Sequence, residues 1–247
     1  YERLVESTLA GHVDIAWNGP LAHVRLERRL GTPTLALGMR DVDRDFDSVL
    51  VAPVSSNIRS FDDLAGKRVA TGTFDSPQAY LMPIQSLTEH GGAKLLSSLD
   101  IIRFDRDIGK NGDTATGEIE ALAALVSGRA DAALVSRMMY DREPDAVRAK
   151  ISPVLSLPRF DHCQFDALPT LDARKREVFE KGLFAMSMSN PEHEPSMRLE
   201  GIAKEWMPPR EEGYDAMRKI LSTEQPGPFP GPLHTPDAHP FRSLTVE

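Results

Sequence analysis

Two short stretches far apart in the chain are spelled alike, and they constrain the fold more than any other feature of the sequence. Leu9-Ala10-Gly11-His12-Val13-Asp14-Ile15-Ala16 can be laid on Val126-Ser127-Gly128-Arg129-Ala130-Asp131-Ala132-Ala133. Apolar residues at Leu4, Val5 and Leu9, and again at Leu122, Leu125 and Val126, mark the inward face of a helix running into each copy. The glycine that follows can take the left-handed conformation that ends a helix, and the run beginning at the Asp reads as a strand. One such helix–Gly–strand unit is common in any α/β protein. Two with the same internal spacing suggest two similarly built lobes.

The rest of the chain alternates in the same way. Strands are expected near 13–17, 34–38, 48–52, 68–71, 100–104, 132–135 and 152–157, and helices near 21–29, 77–90, 118–127, 173–188, 197–206 and 211–221. That order predicts an α/β architecture with largely parallel sheets. From Ser222 onward, Pro226, Pro228, Pro230, Pro232, Pro236 and Pro240 exclude a regular helix or central strand, so 222–247 reads as an extended arm or tail.

Composition narrows the function. Lys and Arg are scattered in a chain of net charge −8, which argues against a nucleic-acid-binding face. No run of about 18 apolar residues exists to span a bilayer. Cys163 is the single cysteine, which excludes an intrachain disulfide and a Cys-rich zinc site. The chain opens at Tyr1-Glu2-Arg3-Leu4-Val5, already inside an apparent helix, so residues including any export signal are expected to precede it.

Three segments offer binding chemistry. Asp75-Ser76-Pro77-Gln78 is a capped helix start with proline at the first helical position. Its free N–H groups and helix dipole favour an anionic or strongly polar group, and Gln78 adds an amide. Gly109 to Gly117 is a polar, Gly-rich loop before the helix at Glu118, with Asp113, Thr114 and Thr116 as candidates. It reads equally as a surface loop capped by Thr116, and it lacks the order of a P-loop. Trp17-Asn18-Gly19-Pro20 ends a strand and starts a helix, the place where open α/β sheets bind ligands; Trp17 reads as core as readily as contact.

Other constellations are set aside. His162 and Cys163, if on an extended strand, point to opposite faces and cannot form a nucleophile–base pair, although His162 could touch ligand. Asp41-Val42-Asp43-Arg44-Asp45-Phe46-Asp47 has Phe46 where a calcium loop needs Gly and Ala52 where it needs Glu, so it reads as a solvated acidic turn. The remaining histidines show no metal-ligand spacing. Neither metal nor cofactor is expected.

A family resemblance rests on three motifs. Phe61-Asp62-Asp63-Leu64-Ala65-Gly66-Lys67-Arg68-Val69-Ala70 resembles the lead-in to the second lobe of type II periplasmic binding proteins. Asp75-Ser76-Pro77-Gln78-Ala79-Tyr80-Leu81-Met82-Pro83 is similar to the ligand-gripping helix start of the phosphate/phosphite/phosphonate binding proteins of ABC transporters. Gly11 to Ala22 resembles their segment of pattern G-x-x-D-i-a-x-x-x-P-x-a. The resemblance implies two Rossmann-like α/β lobes joined by two crossover strands, with the first strand of that fold missing. Lobe 1 would comprise 1–53 and 160–221, and lobe 2 would comprise 54–159.

A ligand in the cleft would be a phosphonate, a phosphate or another small polar or anionic solute. It would be handed, in the periplasm, by a monomeric protein to an ABC permease. Trp17, Asn18, Gly19, Asp75, Ser76, Pro77, Gln78, Asp113, Thr114, Thr116 and His162 are the expected contacts. The family usually carries a Ser/Thr-rich run with a glycine at the helix start; here Pro77 and Gln78 replace two hydroxyl positions, which weakens the expectation of a tight phosphonate or phosphate ligand. The competing reading is an enzyme on the same fold, as in menaquinone or thiamine-pyrimidine biosynthesis, with His162 and Asp113 or Asp75 as acid–base candidates. A regulator's effector domain is a third, without a helix-turn-helix in this chain.

Overall fold

The computed structural model describes residues 2–106 and 116–222. The loop candidates Asp113 and Thr114 and the Pro-rich arm therefore lie outside the described residues. The first part of the chain forms α1 (Glu2–Leu9), β1 (Ile15–Asn18), α2 (Pro20–Leu30) and β2 (Leu35–Arg40). Pro20 sits at the first position of α2, and Gly31, at φ 71°, closes it by donating its N–H to the Glu27 carbonyl.

The middle of the chain forms β3 (Ser48–Pro53), β4 (Arg68–Thr71), α3 (Met82–Ser98), β5 (Asp100–Arg103), α4 (Thr116–Val126), β6 (Ala132–Ser136), α5 (Arg137–Asp141), α6 (Asp145–Arg148) and β7 (Ile151–Ser156). It returns through β8 (Gln164–Ala167), α7 (Ala173–Phe184), α8 (Glu194–Leu199), β9 (Trp206–Met207) and α9 (Asp215–Ser222).

The strands form two separate sheets, of order β1-β8-β2-β9 and β5-β4-β6-β3-β7. The repeated units fall one in each. α1 leads through Gly11 (φ 71°) into β1, and α4 leads through Gly128 (φ 74°) into β6.

The second sheet is covered on both faces, which is why its strands read as unbroken apolar runs. Val49 and Val51 of β3 join Ala133 and Val135 of β6 in a cluster under Leu122 and Leu125 of α4. The alternate residues Leu50, Ala52, Ala132 and Leu134 face Leu87 and Leu95 of α3. Period-two alternation thus divides each strand between two helical layers.

The structure differs from expectation in four places. The first sheet is wholly antiparallel, because β8 enters from the second crossover against the direction of β1 and β2 and inserts between them. β8 itself was not expected. Gly201, in the left-handed region at φ 77°, follows the end of α8, so Trp206 lies in β9 opposite Arg40 rather than in a helix. Finally, β3 pairs antiparallel with both β6 and β7, which carries 48–53 into the second sheet and makes that sheet mixed rather than largely parallel.

The two crossovers, residues 44–47 before β3 and 157–162 after β7, run beside each other between the sheets. Phe160 donates its N–H to the Phe46 carbonyl at 3.0 Å and His162 donates to the Asp43 carbonyl at 2.8 Å. Leu21 and Val24 of α2, Met217 and Leu221 of α9, Met82 of α3, and Phe46 and Phe160 of the crossovers form one buried cluster. Lys219 of α9 meets Glu89 of α3 at 2.6 Å across the same seam. No helix among the described residues is long and apolar enough to cross a membrane.

Candidate functional site

The expected helix start at Pro77 forms, with one refinement. Ser76 caps it, its Oγ accepting from the Ala79 N–H at 3.2 Å, and the first turn, Pro77–Leu81, is a π-turn that runs into α3. Gln78, on that turn, is almost fully buried. The start of α4 is packed hard against the same place. A Cβ on Gly117 would lie 2.8 Å from the Phe104 carbonyl oxygen and 3.2 Å from the Gly72 Cα, so only glycine allows this approach.

The approach delivers Glu118, which is 2% exposed. Its carboxylate accepts the Ser136 N–H at 2.6 Å and the Gln78 Nε2 at 3.0 Å. The helix start at Pro77 and the start of α4 are therefore joined by a direct hydrogen bond.

That bond fixes the next one. With its NH2 turned to Glu118, Gln78 must present Oε1 to its other neighbour, His162 Nε2, at 3.3 Å. An amide oxygen accepts only, so His162 carries hydrogen on Nε2. Its Nδ1 faces Asp43 Oδ1 at 3.3 Å and Cys163 Sγ at 3.1 Å, while its ring stacks on Phe46 at 4.6 Å. Asp43, 1% exposed, is gripped by Arg40 through Nε–Oδ2 at 2.5 Å and Nη2–Oδ1 at 3.0 Å.

Burial opposes an ionised Asp43, but the hydrogen bonds from His162 and Arg40 outweigh it and hold the carboxylate below its usual range. Burial likewise opposes a charged His162. The neighbouring Cys163 and Asp43 prevail and push its pKa up to about 10. His162 is thus an imidazolium with both N–H groups engaged.

The sign of that shift sets a pH dependence. A histidine whose pKa rises on folding stabilises the folded state fully below its unfolded value, and the contribution is lost as the pH climbs through the folded value. For metal-free protein we expect a His162-dependent loss of thermal stability from pH 6.5 to about 10. Melting curves across that window check it, with a His162→Gln variant showing a flatter profile; parallel profiles would refute it. The groups around the ring are Asp43, Arg40, Cys163 and, through Gln78, Glu118.

Two expectations are corrected here. Residues 161–163 precede β8 and are not in a strand, so the opposite-face rule does not apply, and the His162 and Cys163 side chains touch. The acidic turn is not simply solvated. Asp41 accepts the N–H groups of Ala203 and Lys204, Asp43 is buried against Arg40, and Asp47 pairs with Arg137 at 2.8 Å.

The other candidates are dispersed around this cluster. Asp75 is buried in the loop before Ser76, and Pro77 is buried beside it. Thr116 opens α4 and is exposed. Gly19 is the half-buried N-cap of α2. Trp17 packs on Phe165 at 4.6 Å and edge-on to Trp206 at 6.1 Å, as part of the apolar layer under α7 and α8.

Asn18, on the opposite face of β1, enters a buried polar group that the sequence did not disclose. Its Nδ2 donates to Asp166 Oδ2 at 2.9 Å. Thr34 Oγ1 and Gln164 Nε2 donate to Asp166 Oδ1 at 3.0 and 2.8 Å, and His23 Nδ1 lies 3.1 Å from the same carboxylate. Asn18 Oδ1 and Gln164 Oε1, on residues paired across β1 and β8, are buried acceptors with no partner among the described residues. The surface cavities of about 430 and 540 Å³, along α7 and beside β3, involve none of these residues.

The two-sheet architecture with paired crossovers is that of a two-lobed binding protein, and comparison with known proteins agrees. Residues 1–214 match the family described as "ABC transporter, phosphonate, periplasmic substrate-binding protein", and the chain belongs to that family. It is 27% identical over 236 residues to the phosphate-import protein PhnD of Mycolicibacterium smegmatis, a match that covers 89% of this chain and 72% of that protein.

Among solved structures it resembles PhnD1 of Prochlorococcus marinus in complex with methylphosphonate, with TM-score 0.65, 19% identity, and 90% and 82% of the two chains covered. It also resembles a Xanthomonas citri protein bound to chloride ion, with TM-score 0.67, 17% identity, and 90% and 80% covered. At these identities the structural likenesses establish the fold.

Proposed function

We propose that this chain is the solute-binding component of an ABC importer, closing two lobes on a small oxyanion of the phosphonate or phosphate kind in the periplasm and presenting it to a permease. One observation carries the reading. Gln78 at a helix start of the second lobe is hydrogen-bonded to His162 at the crossover, so polar groups of separate lobes already meet at one point. The imidazolium supplies positive charge there, and Asn18 at the end of β1 contributes from the first sheet an amide oxygen, without a partner among the described residues, that suits a protonated oxygen or an amine of the ligand. Ligand that bridges such groups stabilises the closed state and drives hinge closure. Two carboxylates, Asp43 and Glu118, sit close to the same point, which favours an anion of low charge over a fully ionised one.

The same geometry supports binding over catalysis. A base that relays between a carboxylate and a nucleophile uses its two ring nitrogens for the two partners. In His162 both Asp43 and Cys163 address Nδ1, and Nε2 is committed to Gln78.

Calorimetric titration with phosphate, methylphosphonate, other phosphonates and sulfonates, in the presence of a chelator, tests the proposal. One of these is expected to bind and be recovered unchanged. Asn18→Ala and Gln78→Ala are each expected to weaken it by about 1–3 kcal/mol, roughly ten- to a hundredfold. Recovery of a chemically altered compound, with the change lost in a His162 variant, would establish an enzyme instead.

A further inference from the structure

We propose that Asp43, His162 and Cys163 form a binding site for a divalent d-block cation of borderline softness, zinc foremost, set where the two crossovers meet. The three side chains offer a carboxylate oxygen, an imidazole nitrogen and a thiol sulfur that all lie within 4.8 Å of one another. Sulfur and imidazole together select zinc and its neighbours over calcium or magnesium, which take oxygen ligands.

Three geometric features support the site. A tetrahedral zinc, with its ordinary bonds to sulfur, nitrogen and oxygen, holds its ligand atoms roughly 3.3–3.6 Å apart. Here Nδ1 lies 3.1 Å from Sγ and 3.3 Å from Oδ1, close to that spacing, and the sulfur and the carboxylate oxygen lie within 4.8 Å of each other. The His162 ring is also oriented as a metal-ligating imidazole requires. Its Nε2–H is given to the Gln78 oxygen, and Gln78 is itself locked by Glu118, which leaves Nδ1 as the nitrogen that faces the other two ligands.

Asp43 can serve without losing its support. Arg40 holds Oδ2 through Nε and Oδ1 through Nη2, and Oδ1 is also the oxygen turned to His162. A carboxylate oxygen has lone pairs for both an N–H and a metal. His162 retains 18% exposure, so the fourth coordination position can be filled by water or by an oxyanion. On binding, the ion replaces the proton on Nδ1, Cys163 coordinates as the thiolate, and every displaced proton leaves to solvent.

Position gives the site a consequence. Asp43 immediately precedes the first crossover and Cys163 immediately follows the second, whose backbones are joined at Phe46 and Phe160. A bound ion clips the two together at the hinge. This holds whatever solute the cleft accepts.

The test uses the full chain, stripped with chelator and titrated with Co(II) as a spectroscopic stand-in and with Zn(II) by calorimetry. We expect one equivalent of Co(II), an intense thiolate-to-cobalt charge-transfer band in the near ultraviolet, and tetrahedral visible absorption. Cys163→Ser should abolish the charge-transfer band and weaken Zn(II) binding by about tenfold or more. Absence of the charge-transfer band in the unmodified protein overturns the proposal without recourse to any variant. So does equal Zn(II) affinity in Cys163→Ser protein whose circular dichroism matches that of the parent. Solute titrations done in chelator report on the binding-protein reading alone, so either result can fail without the other.

Discussion

Asp166→Ala is expected to destabilise the first lobe by roughly 3–5 kcal/mol, the cost of removing one side of a buried charged hydrogen-bond group. The carboxylate is fully buried and satisfies Asn18, Thr34 and Gln164, with His23 Nδ1 at 3.1 Å. Deleting it takes the acceptor from Asn18 and Thr34 and leaves Gln164 Nε2 with only the His23 ring beside it. Asp166→Asn keeps the shape and one acceptor oxygen but turns an NH2 toward groups that also donate, so a smaller loss of about 2 kcal/mol is expected. Urea unfolding of the three proteins decides it. A loss below about 1 kcal/mol for the alanine variant would show that the network does not hold β1, β2 and β8 together.

Glu118→Gln should alter a residue it does not touch. The new side chain can still accept the Ser136 N–H, but it then offers an NH2 where Gln78 also offers one. Gln78 relieves this by rotating its amide, which brings NH2 to His162 Nε2 in place of an oxygen. Two donors cannot share that contact, so His162 must give up its Nε2 hydrogen. Its pKa, about 10 in the parent, is expected to fall by about one pH unit or more. Solute affinity should drop with it. Titration of the imidazole signals by NMR measures the effect, and an unchanged His162 in a folded Glu118→Gln protein would break the chain of orientation at Gln78.

What was legible in the sequence was whatever repeats locally. The Gly11 and Gly128 units each carry their own helix stop, and the β3 and β6 runs are apolar because both faces are covered. Ser76-Pro77 announces a helix start through chemistry confined to neighbouring residues. The polar centre has no such signature. Asp43 and His162 meet only because the crossovers pair, and Asp166 gathers Asn18, His23 and Thr34 from three earlier segments. β8 escaped notice for the same reason. Its Gln164 and Asp166 face that buried network, so a central strand reads as half polar. The adjacency of His162 and Cys163 misled because the rule applied was one for strands, and the chain there is not yet a strand.

The seam of Leu21, Val24, Met82, Met217 and Leu221 has a bearing on timing. Apolar faces that cover one another are driven together whether or not anything lies between the lobes. If the clamp proposed above opens by parting this seam, it is expected to spend much of its unloaded life shut, so that a solute molecule waits for it to part. Capture then becomes gated, with a rate that rises with solute concentration only until spontaneous parting sets the pace. In the proposed import role, release would meet the same gate, and whatever pries α9 from α3 would govern both directions of traffic.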